Sequence, residues 1–182
     1  PIDILLPVNL QGRQVKVGVW EAGHPDLESL PGEFRGHDDF SGRVEVIEKS
    51  DVTHHATAVT GVLAGDGRRS SAAGGTDGQW RGVAPAARAL YWSTMDSDEE
   101  AAEVLRAIVE HEIGLSVQPW GESVTKQRCS LFGDYTIRAA EFDGVIAGDD
   151  PARAGEGRIP VVFSAGNYQN LLECAGAGGG EA

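Results

Sequence analysis

The sequence predicts an α/β fold: a doubly wound, mostly parallel sheet with helices on both faces. Short runs rich in β-branched residues alternate along the chain with stretches of helical spacing. The segments between them are modest in length and rich in Gly, Pro, Asp and Ser. The 182 residues, 41% of them hydrophobic, are enough for one domain, or most of one, with a true core.

The first strand is predicted at Val15 to Trp20, where Val15, Val17 and Val19 alternate with other residues. It runs into Glu21-Ala22-Gly23, a carboxylate at the carboxyl end of a strand. Residues 24 to 42 read as loop, and Val44 to Ile47 as a short second strand. Thr53 to Gly65 reads as a tightly packed helix, with Ala56, Val59, Thr60 and Leu63 on one face and Gly65 as its stop. His54 and His55 stand at its mouth. Asp66 to Gln79 is expected to be a flexible surface flap, and its glycines form no phosphate-cradling pattern.

Arg88 to Trp92 is the third strand. Ser97 to Glu100 reads as a capping box opening a helix that places Ala101, Val104, Leu105 and Ile108 on one face. Leu115 to Gln118 is the fourth strand, broken by Pro119-Trp120-Gly121. Tyr135, Ala139, Phe142 and Ile146 predict a helix over roughly 134–147. Asp149 to Gly157 reads as a polar linker. Ile159 to Phe163 reads as a buried strand ending in Ser164-Ala165-Gly166-Asn167, and the tail from Leu171 to Ala182 has no pattern.

The net charge of −13 argues against nucleic acid and anionic membrane as partners. No apolar run is long enough to span a bilayer. The chain opens on Pro1, without an initiator Met or a basic-then-apolar leader, and is expected to be processed or excised from something longer. Cys129 and Cys174 form no disulfide framework, their pairing is open, and their spacing predicts no zinc site.

Parallel sheets gather ligands and catalytic groups at the carboxyl ends of their strands. Glu21, His55 and Asn167 are all predicted there. Singly, each has an ordinary reading: a solvated acid, a capping or solvated ring, a loop amide. As a set they suggest acyl transfer, in which the acid orients the ring, the ring takes a proton from a nucleophile, and the amide donates to the oxyanion.

The blocks around these residues, in this order, resemble the subtilisin-like serine peptidases, or subtilases. Val17 to Gly23 is similar to the family's strand ending in Asp-x-Gly. His55-Ala56-Thr57-Ala58-Val59-Thr60-Gly61 resembles its His-Gly-Thr-His/Ala-Val-Ala-Gly helix. Gly82-Val83-Ala84-Pro85-Ala86-Ala87 is similar to its Gly-Val-Ala-Pro-x-Ala entry to a core strand. Pro119-Trp120-Gly121 stands where the family has Ser-Trp/Leu-Gly, and Val161 to Asn167 resembles Val-Val-x-x-Ala-Gly-Asn. Phe132-Gly133-Asp134-Tyr135 and the helix after it resemble a bacterial branch with an insertion. The likeness covers about residues 12 to 167.

The resemblance implies a subtilisin-like fold and serine endopeptidase chemistry, with Glu21 and His55 as acid and base and Asn167 as oxyanion donor. It implies an extended peptide or protein substrate adding as a strand beside residues 117 to 121, with Val117, Pro119, Trp120, Gly121, Ala165 and Gly166 lining its site. It also implies work outside the cell. Calcium often stabilises the family, and Asp26, Asp38, Asp39, Asp66 and Asp77 could supply oxygens. Their spacing fits no defined ligand loop, so no cofactor and no metal site is expected.

Three departures matter. Glu21 replaces Asp with an arm one methylene longer. Pro119 replaces Ser and removes a backbone donor. The family's Gly-Thr-Ser segment lies several dozen residues past the Asn, whereas Ala182 is 15 residues past Asn167 and no Ser follows Asn167. The 182 residues are therefore expected to be the amino-terminal part of the domain, truncated at its carboxyl side. They are expected to be inactive alone, marginally stable, and complemented by a missing carboxyl-terminal segment or a second chain. Glu21 and Pro119 also leave open a non-catalytic relative that binds peptides or partners. A nucleotide-binding domain ranks low without a phosphate loop.

Overall fold

The computed structural model describes residues 10–27, 38–40, 42–94, 99–121, 134–148 and 158–167. Ser97 of the expected capping box, Cys129, Cys174, Phe132-Gly133, the 149–157 linker and the 171–182 tail lie outside the described residues.

Five strands form one sheet in the order β2-β3-β1-β4-β5, and every pairing is parallel. They are β1 (Lys16–Glu21), β2 (Val44–Val46), β3 (Arg88–Ser93), β4 (Leu115–Gln118) and β5 (Val161–Phe163). Helix α1 (His54–Ala64) joins β2 to β3, α2 (Glu100–His111) joins β3 to β4, and α3 (Ile137–Ala147) lies between β4 and β5. The chain leaves β3 on one side of β1 and returns as β4 on the other, so β1 is the central strand.

Successive residues of a strand face opposite sides of a sheet, and β1 uses this to serve two cores. Val17 and Val19 pack with Ala89 and Tyr91 of β3 and Ala56 of α1. Trp20 packs on the other face with Leu90 and Trp92 of β3, Val104 and Ala107 of α2, and Phe142 and Val145 of α3. Helices therefore cover both faces. Trp20 and Trp92 sit side by side in the β1–β3 register and stack with centroids 4.7 Å apart. Gly18 makes room for that stack, because a Cβ there would lie 2.5 Å from the Trp20 ring.

Thr53 caps α1, its hydroxyl accepting from the Ala56 N–H at 3.1 Å, so neither histidine is the cap. Helix α2 ends on Glu112 in the left-handed region (φ 55°). There Lys16 Nζ donates to the His111 carbonyl at 3.0 Å and to the Glu112 carboxylate at 2.8 Å.

Three expectations are corrected. Helix α3 starts at Ile137 behind a Thr136 cap, and it buries Phe142 and Val145 rather than the 135/139/142/146 stripe. Tyr135 and Ile146 are exposed because the helix turns Phe142 onto Phe163, 4.8 Å between centroids. β5 is not a buried strand: it pairs only with β4 among the described residues, and Val162 and Phe163 are half-exposed at the sheet edge. The 66–79 flap is a series of tied turns. Ser70 is buried there and accepts the Trp80 N–H at 3.1 Å.

Candidate active site

A parallel sheet places the carboxyl ends of all its strands on one edge. Glu21 is the last residue of β1, and β3 and β4 flank it at the crossover between the two halves of the sheet. Ligand sites of open α/β sheets form at such crossovers. The residues after Glu21 turn toward the start of α1. His24 donates its N–H to the Asp51 carbonyl at 3.0 Å, and its carbonyl accepts the Thr53 N–H at 3.1 Å. Asp26 N–H donates to Thr57 Oγ1 at 3.0 Å, and Thr57 Oγ1 donates to the Thr53 carbonyl at 2.9 Å. Gly23 permits this approach, since a Cβ there would lie 2.4 Å from Thr53 Cγ2 and 2.6 Å from the Asp51 carbonyl.

The approach brings the Glu21 carboxylate to the His55 ring, with Oε2 2.7 Å from Nδ1. A carboxylate only accepts, so Nδ1 is the protonated nitrogen and donates. Glu21 Oε1 accepts the Ala22 N–H at 2.9 Å. The extra methylene is thus accommodated: the carboxylate is fixed by its neighbour's amide while its second oxygen meets the ring. The Glu21 side chain keeps 6% of its surface exposed and that of His55 61%. The acid is shielded from water, and the ring opens to solvent with Nε2 free of the acid. An imidazole held this way can take a proton from a hydroxyl and return it to a leaving group.

Behind the dyad, Tyr91 and Thr60 are fully buried, and their hydroxyls share a hydrogen bond. Thr60 Oγ1 also donates to the Ala56 carbonyl at 2.7 Å, which ties α1 to β3 one turn below His55. Burial pushes the Tyr91 phenol well above its ordinary range.

Asn167 lies exposed beyond β5, on the same sheet edge and two strands from β1. Two strand spacings are about 10 Å, and no hydrogen bond joins Asn167 to Glu21 or His55. Ala165 and Gly166 precede it, exposed, in a turn where Gly166 (φ 80°) donates to Ser164 Oγ at 3.0 Å. The structure therefore joins Glu21 and His55 and places Asn167 at the same edge without contact.

Val117 pairs with Val19 of β1 and Val162 of β5. With β4 flanked on both sides, a peptide strand has no free edge at Val117, and the expected 117–121 platform narrows to Pro119, Trp120 and Gly121. Trp120 Nε1 donates to Gln118 Oε1 at 2.8 Å, and buried Gln118 donates to Ser116 Oγ at 3.0 Å. The Trp120 ring meets Phe163 edge-on and carries the Arg138 guanidinium 5.2 Å from its centroid.

Among the described residues, no three His, Cys, Asp or Glu side chains gather as metal ligands. Asp38 pairs with Arg69, and Asp66 with Arg43 and Arg68. The sequence reading missed the residues that bring acid and base together: Gly23, His24 and Thr53. Thr53 carried a signal, a Thr just before a helix being a preferred cap. No family model matches the chain, and no curated protein sequence matches it.

Proposed function

We propose that the chain carries the acid and base of a subtilisin-like serine endopeptidase. Glu21 orients His55 and stabilises its charged form. His55 Nε2 takes the proton of a serine hydroxyl as it attacks a peptide carbonyl, then returns it to the leaving amine. Asn167 donates to the oxyanion, a role whose loss costs about 10²–10³-fold in turnover in subtilisin. The peptide lies against Pro119, Trp120 and Gly121 and reaches toward Ala165 and Gly166. The observation that carries this reading is the 2.7 Å Glu21–His55 contact, with its acid shielded and its ring open. No serine follows Asn167 in these 182 residues. The nucleophile must then come from sequence continuous with the chain or from a second polypeptide.

The test is to express the reading frame through its next stop codon and label the product with a serine-directed fluorophosphonate. Labelling that disappears in His55→Ala supports the proposal. Absent labelling, or labelling that His55→Ala leaves unchanged, overturns it in favour of a peptide-binding relative without catalysis.

A further inference from the structure

Tyr91 of β3 stands beside Val19 of β1 in the sheet register, and Glu21 follows two residues later on the same face. The ring is fully buried with Val17, Val19, Ala56 and Ala89. Thr60 Oγ1 has one proton and gives it to the Ala56 carbonyl at 2.7 Å. Tyr91 is therefore the donor in the bond that its hydroxyl shares with Thr60 Oγ1. The result is a directed chain from Tyr91 through Thr60 to the Ala56 carbonyl. A phenylalanine would fill the same space without taking a hydroxyl out of water, which is costly unless a hydrogen bond replaces the lost hydration.

The end of that chain is the residue directly after the base. The Ala56 N–H is held by Thr53 Oγ1 at 3.1 Å, its carbonyl by Thr60, and its methyl group is fully buried against the β1–β3 face. His55 lies in the first turn of α1, where N–H groups lack helical partners and helices fray. Its side chain is 61% exposed. The backbone carbonyl of Tyr91 accepts the N–H groups of Ile47 at 2.9 Å and Glu48 at 3.2 Å, where the connection from β2 to α1 begins. Tyr91 thus grips this connection at its start and the helix at its first turn. It does so from a strand hydrogen-bonded in register to the one that carries Glu21.

We propose that Tyr91 is a positioning residue for the base: its buried hydroxyl, acting through Thr60 and the Ala56 carbonyl, registers the first turn of α1, and His55 with it, against the strands that carry Glu21. The 2.7 Å contact between Glu21 Oε2 and His55 Nδ1 joins a side chain of the sheet to one of the helix. It is kept only while helix and sheet hold their relative place. The bearing of Tyr91 on catalysis rests on the peptidase reading, but the positioning itself does not.

The test measures by NMR how fast the His55 Nδ1–H exchanges with water in the chain itself. Tyr91→Phe keeps the ring and is expected to speed exchange about fivefold, the factor that corresponds to losing one net hydrogen bond. Thr60→Val removes the hydroxyl that receives from Tyr91, is expected to speed it at least as much, and serves if Tyr91→Phe does not fold. Thr60→Ser keeps the hydroxyl and is expected to exchange as the wild type does. Val145→Ala truncates a fully buried residue of the other core and is expected to lower stability without changing the exchange. An unchanged rate in folded Tyr91→Phe or Thr60→Val overturns the proposal. So does an equal acceleration in Thr60→Ser or Val145→Ala, which would make the effect one of packing or of general stability. The readout needs no nucleophile or substrate, so failure here is distinct from failure of the peptidase reading.

Discussion

Trp20 and Glu21 are consecutive residues that serve opposite faces of the same strand, Trp20 donating to Glu103 and Glu21 receiving from His55. One peptide bond therefore links a buried carboxyl on one face to an exposed imidazole on the other. Because β1 is central and held on both sides, neither side chain can move along the strand without disturbing the other.

Glu21→Asp is expected to weaken the dyad rather than bring it closer to the usual family pattern. The contact is made at glutamate length, and one carbon–carbon bond is about 1.5 Å. An aspartate would fall short of the ring and lose its place at the Ala22 N–H. Misplacement of about 1 Å can cost on the order of 10²-fold in rate. The His55 Nδ1–H signal should broaden or vanish in the variant, and fluorophosphonate labelling of the extended product should slow by about that factor. Equal or faster labelling would show that β1 adjusts to the shorter acid.

Gly23→Ala tests whether the meeting of acid and base depends on the close passage of the 21–26 turn against the 51–53 segment. The added methyl group would lie 2.4 Å from Thr53 Cγ2 and 2.6 Å from a backbone carbonyl. Overpacking of this kind costs about 1–3 kcal/mol. Urea unfolding should show a loss in that range. The Nδ1–H signal should shift as the His24–Thr53 bonds break, whereas a general loss of stability elsewhere would leave it in place.

The Tyr91–Thr60 pair predicts an ordered outcome for two conservative deletions. In Tyr91→Phe, Thr60 still donates to the Ala56 carbonyl, so the loss should be about 1 kcal/mol. In Thr60→Val, the fully buried Tyr91 hydroxyl keeps only a 3.4 Å contact with Ala56. Leaving a buried donor so poorly satisfied costs about 1–3 kcal/mol. Thermal melts should therefore rank Thr60→Val as the less stable, and the reverse order would mean that Tyr91 repacks freely.

Much of this fold was legible because its signals are local. The valines of β1 and β2, the apolar Ala89–Trp92 run of β3, and the small-residue face of α1 each follow from a few adjacent residues. Glu21 and His55 were legible as candidates because strand ends and helix starts can be located that way. Their contact depends on Gly23 and the His24–Thr53 bonds, which join segments far apart in sequence. Burial of Glu103 was not legible, since periodicity assigns a glutamate to a solvated face unless the Trp20 N–H opposite is known. The exposure of β5 was missed for a similar reason: an apolar run reads as buried whether or not a second neighbour covers it.

The buried Glu103 carboxyl also sets how stability varies with pH. The folded state raises the Glu103 carboxyl chiefly by burial, so between the ordinary glutamate range and the raised value the folded chain binds more protons than the unfolded one. The contribution of Glu103 is therefore fully present below the ordinary range and is lost as pH rises through the raised one. Glu103→Gln carries no charge to lose. Across that window the wild-type urea midpoint should fall relative to that of the variant, and the two curves should separate as pH increases. Other carboxylates shift both curves alike, so the difference between them isolates position 103. If the midpoints stay parallel throughout, folding does not raise the Glu103 carboxyl, and the Trp20 hydrogen bond together with Arg106 outweighs burial.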